Sequence, residues 1–291
     1  MIVTLIDSRN PALAPWILGY AATELEPGRT LERRMVPARP NCFLQIILSG
    51  RQEIIDIESG ERQVAPPVAL FGPLGHYRYD MEIAGGYRSF RVRLQPATAG
   101  RLLGVDPAEL ADHFQALQLP VKLHAELFAA ADFQAMAELF DDWLTQIVTN
   151  QDECAVSRAA RTVRERRGQV AIASLHGETG LSMRHFQRRF KALTGQNPKH
   201  YARVCRVAHA VWLKECDADM PWTAIALDVG YADQSHFIRD FKALTGMIPR
   251  DFVRHLPQFT ALLHEDGEAA LEAMAQTEAV SVLRSASGRA P

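Results

Sequence analysis

Two stretches of this 291-residue chain carry side chains suited to gripping nucleic acid, at matching spacing. Arg184, Gln187, Arg188 and Lys191 form one set; Gln234, Ser235, Ile238, Arg239 and Lys242 form the other. On a helix, residues three and four apart share a face, so each set makes one stripe. A guanidinium can donate two parallel hydrogen bonds to guanine O6 and N7, a Gln amide can pair with adenine, and an Ile can press on a thymine methyl. Lysines suit phosphate oxygens. A single basic helix of this kind reads equally well as a solvated surface, but two in one segment point to double-stranded DNA as the partner.

The elements that hold these stripes are legible from an internal repeat. Residues 181–203, LSMRHFQRRFKALTGQNPKHYAR, match 232–254, ADQSHFIRDFKALTGMIPRDFVR, at 11 of 23 positions with a constant offset of 51. Each copy reads as a short helix, a glycine turn at Gly180 or Gly230, and a second helix capped by Ser182 or Asp233. Phe186, Phe190 and Leu193, or Phe237, Phe241 and Leu244, recur at helical intervals as the buried face. Gly195 and Gly246 stop the second helix, and Pro198 and Pro249 open the next one. His185 and His236 hold matching positions and are assigned to supporting the helix, not to catalysis. The connecting helix, from Pro198 to Glu215, would be about 25 Å long at 1.5 Å per residue.

Charge follows the same division. Between Glu153 and Leu256 there are 17 Lys and Arg against 10 Asp and Glu, whereas the rest of the chain has 15 against 24. A basic segment on an acidic chain is consistent with a polyanionic partner.

Residues from about 153 to 256 resemble the DNA-binding region of the AraC/XylS family of transcriptional regulators, through GLSMRHFQRRFKALTGQNPKHY and IALDVGYADQSHFIRDFKALTGMIP. The resemblance implies two helix-turn-helix units joined by a long helix, with the nine residues above as base and phosphate contacts. It also implies a regulator that has RNA polymerase as a further partner and acts as a homodimer. One departure stands out: His176 lies four residues before its turn glycine, where the second unit has the small Ala226. A bulky side chain there either opens the first unit or points outward, with Gly177 relieving the crowding.

Upstream, residues 41–96 have a β pattern: CFLQIIL stopped by Ser49-Gly50, EIIDI stopped by Ser59-Gly60, then VALFG, HYRYDM and YRSFRVRLQ. In the last, Phe90, Val92 and Leu94 alternate with Ser89, Arg91 and Arg93, which predicts one core face and one water-facing side. Residues 1–40 are proline-rich and weakly periodic. Several short strands suggest a small antiparallel sandwich or barrel; in arrangement this region resembles the family's cupin-like sensor. After Pro96 the period is helical to about Phe114, and again from about Leu123 to Asn150. There Phe133, Met136, Phe140, Trp143 and Ile147 form an apolar seam, which either packs on the domain's own sheet or meets a second copy.

The expected fold class is therefore α+β. An N-terminal antiparallel β (cupin-like) domain occupies 1–120, a helical linker and candidate dimerisation helix 121–150, and a C-terminal all-α double helix-turn-helix domain 151–256. The tail, 257–291, holds an Ala/Glu-rich helix candidate near 267–277.

No stretch reaches eighteen uncharged apolar residues and no signal peptide is evident, so neither a membrane span nor secretion is expected. Cys42, Cys154, Cys205 and Cys216 are far apart and read as reduced thiols of a cytoplasmic protein. The β region holds only His76, with His113 and His124 later, so no metal site is expected. Neither a nucleophile elbow nor a phosphate-cradling glycine loop is present, hence no catalytic residues and no cofactor. Trp16, Tyr20, Tyr77, Arg78 and Tyr79 are candidates to line a pocket, though core packing accounts for most of them. The reading is a sequence-specific DNA-binding transcriptional regulator, not an enzyme, whose N-terminal domain senses a small-molecule effector or dimerises. The alternative is a cupin-like enzyme with a DNA-binding appendage, for which stoichiometric metal in the β domain would speak.

Overall fold

The computed structural model describes residues 2–26, 28, 31–149, 152–253 and 281–284. Eight strands of its first half and one from residues 281–284 form a rolled sheet among the described residues: β1 Ile2–Ile6, β2 Ile17–Glu24, β3 Leu31–Val36, β4 Phe43–Asp56, β5 Arg62–Val64, β6 Val68–Phe71, β7 Tyr79–Leu94, β8 Phe114–Ala116 and β9 Ser281–Arg284. The order is β8-β6-β4-β7-β2-β1-β9, with β3 also on β7 and β5 also on β4. The long antiparallel pair β4 and β7 is the hinge of the roll. The first part of β4 pairs with β6 and its last part with β5, while β7 starts against β3 and finishes against β2.

Three strands arise from residues 1–40, where no alternation was visible. In β2 nearly every residue is buried, so the strand is covered on both sides and has no polar face to alternate with. Ser49-Gly50, expected to end a strand, instead bends one. The β4–β7 register shifts on either side of Ser49, as at a bulge. Gly50 has φ of +76°, and a Cβ there would lie 2.6 Å from the Tyr87 Cα, so the residue serves the close approach of β7. Phe114, expected at a helix end, sits in β8 against Phe71 of β6, after two short helices, α1 Thr98–Leu103 and α2 Pro107–Leu110.

Phe90, Val92 and Leu94 join the core as expected, together with Tyr20, Leu44 and Ile46. Their alternates do not face water: Ser89 is 0% and Arg91 6% exposed, and Arg93 is half-buried. Rolling the sheet turns this polar side inward, and no pattern within one strand reports that.

The helices α3 Val121–Ala129 and α4 Phe133–Val148 pack on the outside of the sheet. Met136 and Phe140 are buried, and the Phe140 ring lies 5.8 Å from Phe90. Phe133 and Trp143 cover the same cluster, while Ile147 is half-buried. The buried stripe continues through Leu144 and Val148. The apolar seam is therefore core, and residues 121–149 pack as part of the first domain. Asp141 of α4 fastens it to the N-terminus by accepting from the Tyr20 hydroxyl at 2.5 Å, the Ser8 hydroxyl at 2.6 Å and the Arg9 amide at 2.7 Å.

The second half is helical: α5 Ala155–Glu165, α6 Ile172–Gly177, α7 Met183–Thr194, α8 Pro198–Cys216, α9 Trp222–Asp228, α10 Gln234–Thr245 and α11 Pro249–Phe252. Two apolar clusters, one per repeat, share α8 between them. The expected tail helix at 267–277 lies outside the described residues; Ser281–Arg284 pairs in parallel with β1.

Candidate nucleic-acid interface

Each repeat builds a recognition helix from the same local rules. Gly180 and Gly230 take φ of +66° and +81° in the turn. Ser182 then accepts from the His185 amide to start α7, and Asp233 from the Ser235 amide to start α10. Pro198 and Pro249 stand in the first turn of the helices that follow. Phe186 and Phe190, like Phe237, Phe241 and Leu244, are fully buried, and Leu193 is half-buried. This fixes which way the other face points. Arg184, Gln187, Arg188 and Lys191 on α7, and Gln234, Ser235, Ile238, Arg239 and Lys242 on α10, are all exposed.

The two units are not equally built. At the position that Asp240 takes in α10, α7 carries Arg189, which is exposed and adds a cation to the first stripe. Sequence reasoning missed it, although the mismatch in the repeat alignment was its signal. Asp240 itself is buried and bound to α8: its carboxylate accepts from Arg203 Nε at 3.0 Å, Arg203 Nη2 at 2.6 Å and the Tyr231 hydroxyl at 2.9 Å. Burial by itself would raise this carboxyl, but the Arg203 and Tyr231 bonds hold it below its ordinary range. The Arg206 guanidinium caps the Tyr231 ring at 4.9 Å. His236 is exposed, 3.5 Å from Asp240. His176 neither opens the first unit nor points outward: its ring packs edge-to-face on Phe186 at 6.0 Å. Gly177 has open space around it, so it relieves no crowding.

Both recognition helices end against the first domain. The Gly195 Cα abuts the Pro107 carbonyl and Ala111, and Gly246 lies directly under the Tyr77 ring, where any Cβ would collide. The Ala38 amide, just past β3, donates to the Leu244 carbonyl at 2.7 Å, and His200 Nε2 meets the Gly75 carbonyl at 2.8 Å. Burial chiefly holds His200 below its ordinary pKa. Of the pocket candidates, Trp16 and Tyr20 are core, Tyr77 covers Gly246, and Arg78 and Tyr79 border cavities of the rolled sheet. The four cysteines are free. Among the described residues no three His, Cys, Asp or Glu side chains converge as metal ligands, and no helix is long and apolar enough to cross a membrane.

A family model described as a helix-turn-helix domain matches residues 175–255, which span both units from α6 onward. No curated protein matches the chain. Among solved structures, ToxT from Vibrio cholerae is 11% identical over 81% of this chain and 97% of its own, with a TM-score of 0.46. Unsaturated fatty acid-bound ToxT from Vibrio cholerae strain SCE256 is 14% identical over 84% and 96%, with a TM-score of 0.44. The AraC-like transcriptional activator CuxR is 16% identical over 66% and 80%, with a TM-score of 0.23. On the duplicated units, their shared linking helix and the family match, the C-terminal region of this chain is a helix-turn-helix DNA-binding domain of the AraC type.

Proposed function

We propose that the chain is a sequence-specific DNA-binding transcriptional regulator that reads two unlike half-sites, one with each recognition helix, under the control of its N-terminal domain. The observation that carries this is the division of each repeat. The phenylalanines common to both copies are buried, whereas the nine polar, basic and thymine-suited residues are all exposed, with Arg188 and Lys191 recurring as Arg239 and Lys242 but Arg184 and Gln187 replaced by Ser235 and Ile238. A helix of 19 residues spans about 28 Å, stiff enough to hold two recognition helices about one turn of B-DNA apart. The N-terminal domain has a cavity for an effector and touches both recognition helices at their C-terminal glycines, which supports control of their placement. Because the α4 seam is buried, homodimerisation would use another face, and contact with RNA polymerase belongs to the same proposal.

Selection of the full chain on random double-stranded DNA tests it. The expected result is an asymmetric motif with two parts about 10 base pairs apart. Binding with no preferred sequence would overturn it.

A further inference from the structure

The two ends of the N-terminal sheet are finished differently. At one end stands β8, three residues long, and so short an edge strand offers little for another chain to pair with. At the other end β1 lies beyond β2 and reads Ile-Val-Thr-Leu-Ile, with no charge, Pro or Gly from residue 2 to residue 6. One side of its backbone is spent on β2, in an unbroken register from Ile2 opposite Glu24 to Ile6 opposite Tyr20. The other side is a row of backbone donors and acceptors on an apolar strand, the kind of edge that proteins ordinarily blunt with Lys, Pro or a bulge.

Here β9 covers that edge. It pairs with β1 in parallel, from Ile2 opposite Ser281 to Leu5 opposite Arg284. These residues lie beyond the helix-turn-helix match, which ends at residue 255. Their sequence suits the role: Val280 and Val282 are β-branched, Leu283 is apolar, and Ser285-Ala286-Ser287-Gly288 follows as a stop. The new edge is only four residues long and ends at a cation, Arg284, so it is itself blunted.

A parallel pair cannot be closed by a hairpin, and β9 meets β1 only after the chain has built the DNA-binding domain. Residues 254–280 run from the end of that domain to the strand. The DNA-binding domain is therefore joined to the N-terminal domain at both of its chain ends, through residues 149–154 after α4 and through β9. A connection of that length reaches at most about 90 Å, so the second attachment lets the domain shift without leaving the sheet. Parting four parallel pairs is a small opening beside unfolding the sheet, which makes the attachment releasable.

We propose that the outer edge of β1 is a strand-binding site whose occupant is the chain's own residues 281–284. The strand straps the DNA-binding domain to the N-terminal sheet and hides an edge on which copies of the chain would otherwise pair.

A full-length Thr4→Cys/Leu283→Cys variant tests the pairing, because register partners on neighbouring strands lie within disulfide reach. Under mild oxidation, peptide mapping should find residues 4 and 283 linked within one chain, at least tenfold faster than in Thr4→Cys/Ala286→Cys, whose second position lies about 10 Å further along. Mapping also separates this link from any made by the four native cysteines. A link between two chains, no link, or equal rates for both variants would overturn the proposal. In a second variant, Val282→Pro/Leu283→Pro, one of the two prolines must fall where a backbone amide faces β1. Hydrogen exchange at residues 2–6 should speed up at least tenfold while residues 43–47 of β4 stay protected, and sedimentation should show a larger species than the native chain at equal concentration. Unchanged exchange at residues 2–6, or an unchanged sedimentation profile, would overturn the proposal. The cross-link leaves the strands intact and decides even where the proline variant unfolds.

Discussion

Replacing Asp240 with Ala should damage one half of the DNA reader and spare the other. The substitution removes both Arg203 bonds and strands the Tyr231 hydroxyl. The Arg203 side chain is 36% exposed, so water replaces much of what it loses, and that pair contributes only about 1 kcal/mol. Tyr231 is 4% exposed, and a buried hydroxyl left without its acceptor costs about 1–3 kcal/mol. Together these amount to about 2–4 kcal/mol, on the order of 10–30 °C in the melting of the helical region. Because Asp240 ties α10 to α8, the loss falls on the helix that carries Arg239. Melting followed by binding across a library of single-base variants should show preference relaxed in that half-site and kept in the one read through Arg188. Asp240→Asn, which keeps one acceptor oxygen but loses the charge and the other acceptor, should lie in between. A variant that melts within a degree of the native chain, or loses preference equally in both half-sites, would refute the reasoning. The depressed carboxyl sets the pH sign: this contribution is intact above the unfolded carboxyl's ordinary pKa, about 3.9, and fades as pH falls through the lower folded value.

Arg188→Ala and Arg239→Ala should each cost about 1–3 kcal/mol and relax different base pairs, as a variant library would show; relaxation of the same pairs by both would contradict two readers. Affinity should fall steeply with salt, by roughly 0.9 in the log–log slope for each phosphate contact, and a flat slope would contradict an electrostatic grip by Arg184, Arg189, Lys191 and Lys242. Phe140→Asp should unfold the N-terminal domain, not release a folded monomer, because a charge would enter the core beside Phe90; circular dichroism with sedimentation separates the two. The His200 contact to Gly75 should weaken as pH falls below about 6.5, since burial lowers the folded pKa below the unfolded one and the unfolded or undocked form takes the proton first. Arg203 and His76 reinforce this, whereas the Gly75 bond itself and Asp112 oppose it without outweighing burial. Hydrogen exchange at residues 75 and 200 across pH 5–7 should show that opening, and His200→Gln should flatten it.

The reading helices were legible in the chain itself because their determinants are local. A turn glycine, a capping Ser or Asp, phenylalanines at helical spacing and a closing glycine fix each unit within about fifteen residues, and fixing the buried face also fixes the exposed one. The repeat then made Arg188 and Arg239 recognisable as equivalents. What lay beyond such signals required the third dimension. Strand β2 is covered on both sides, so it shows no alternation. Arg91 and Ser89 look like a water-facing side until the sheet rolls and encloses them. Met136 and Phe140 have a seam's spacing whether the surface opposite is a second copy or the domain's own sheet, and only packing against Phe90 and Tyr20 decided it. The docking of Tyr77 on Gly246 and of Ala38 on Leu244 joins residues more than 160 positions apart, beyond the reach of any local pattern. Local sequence thus determined what each helix presents, while the closure of the sheet and the docking of the two halves decided which polar groups are enclosed and what holds the reader in place.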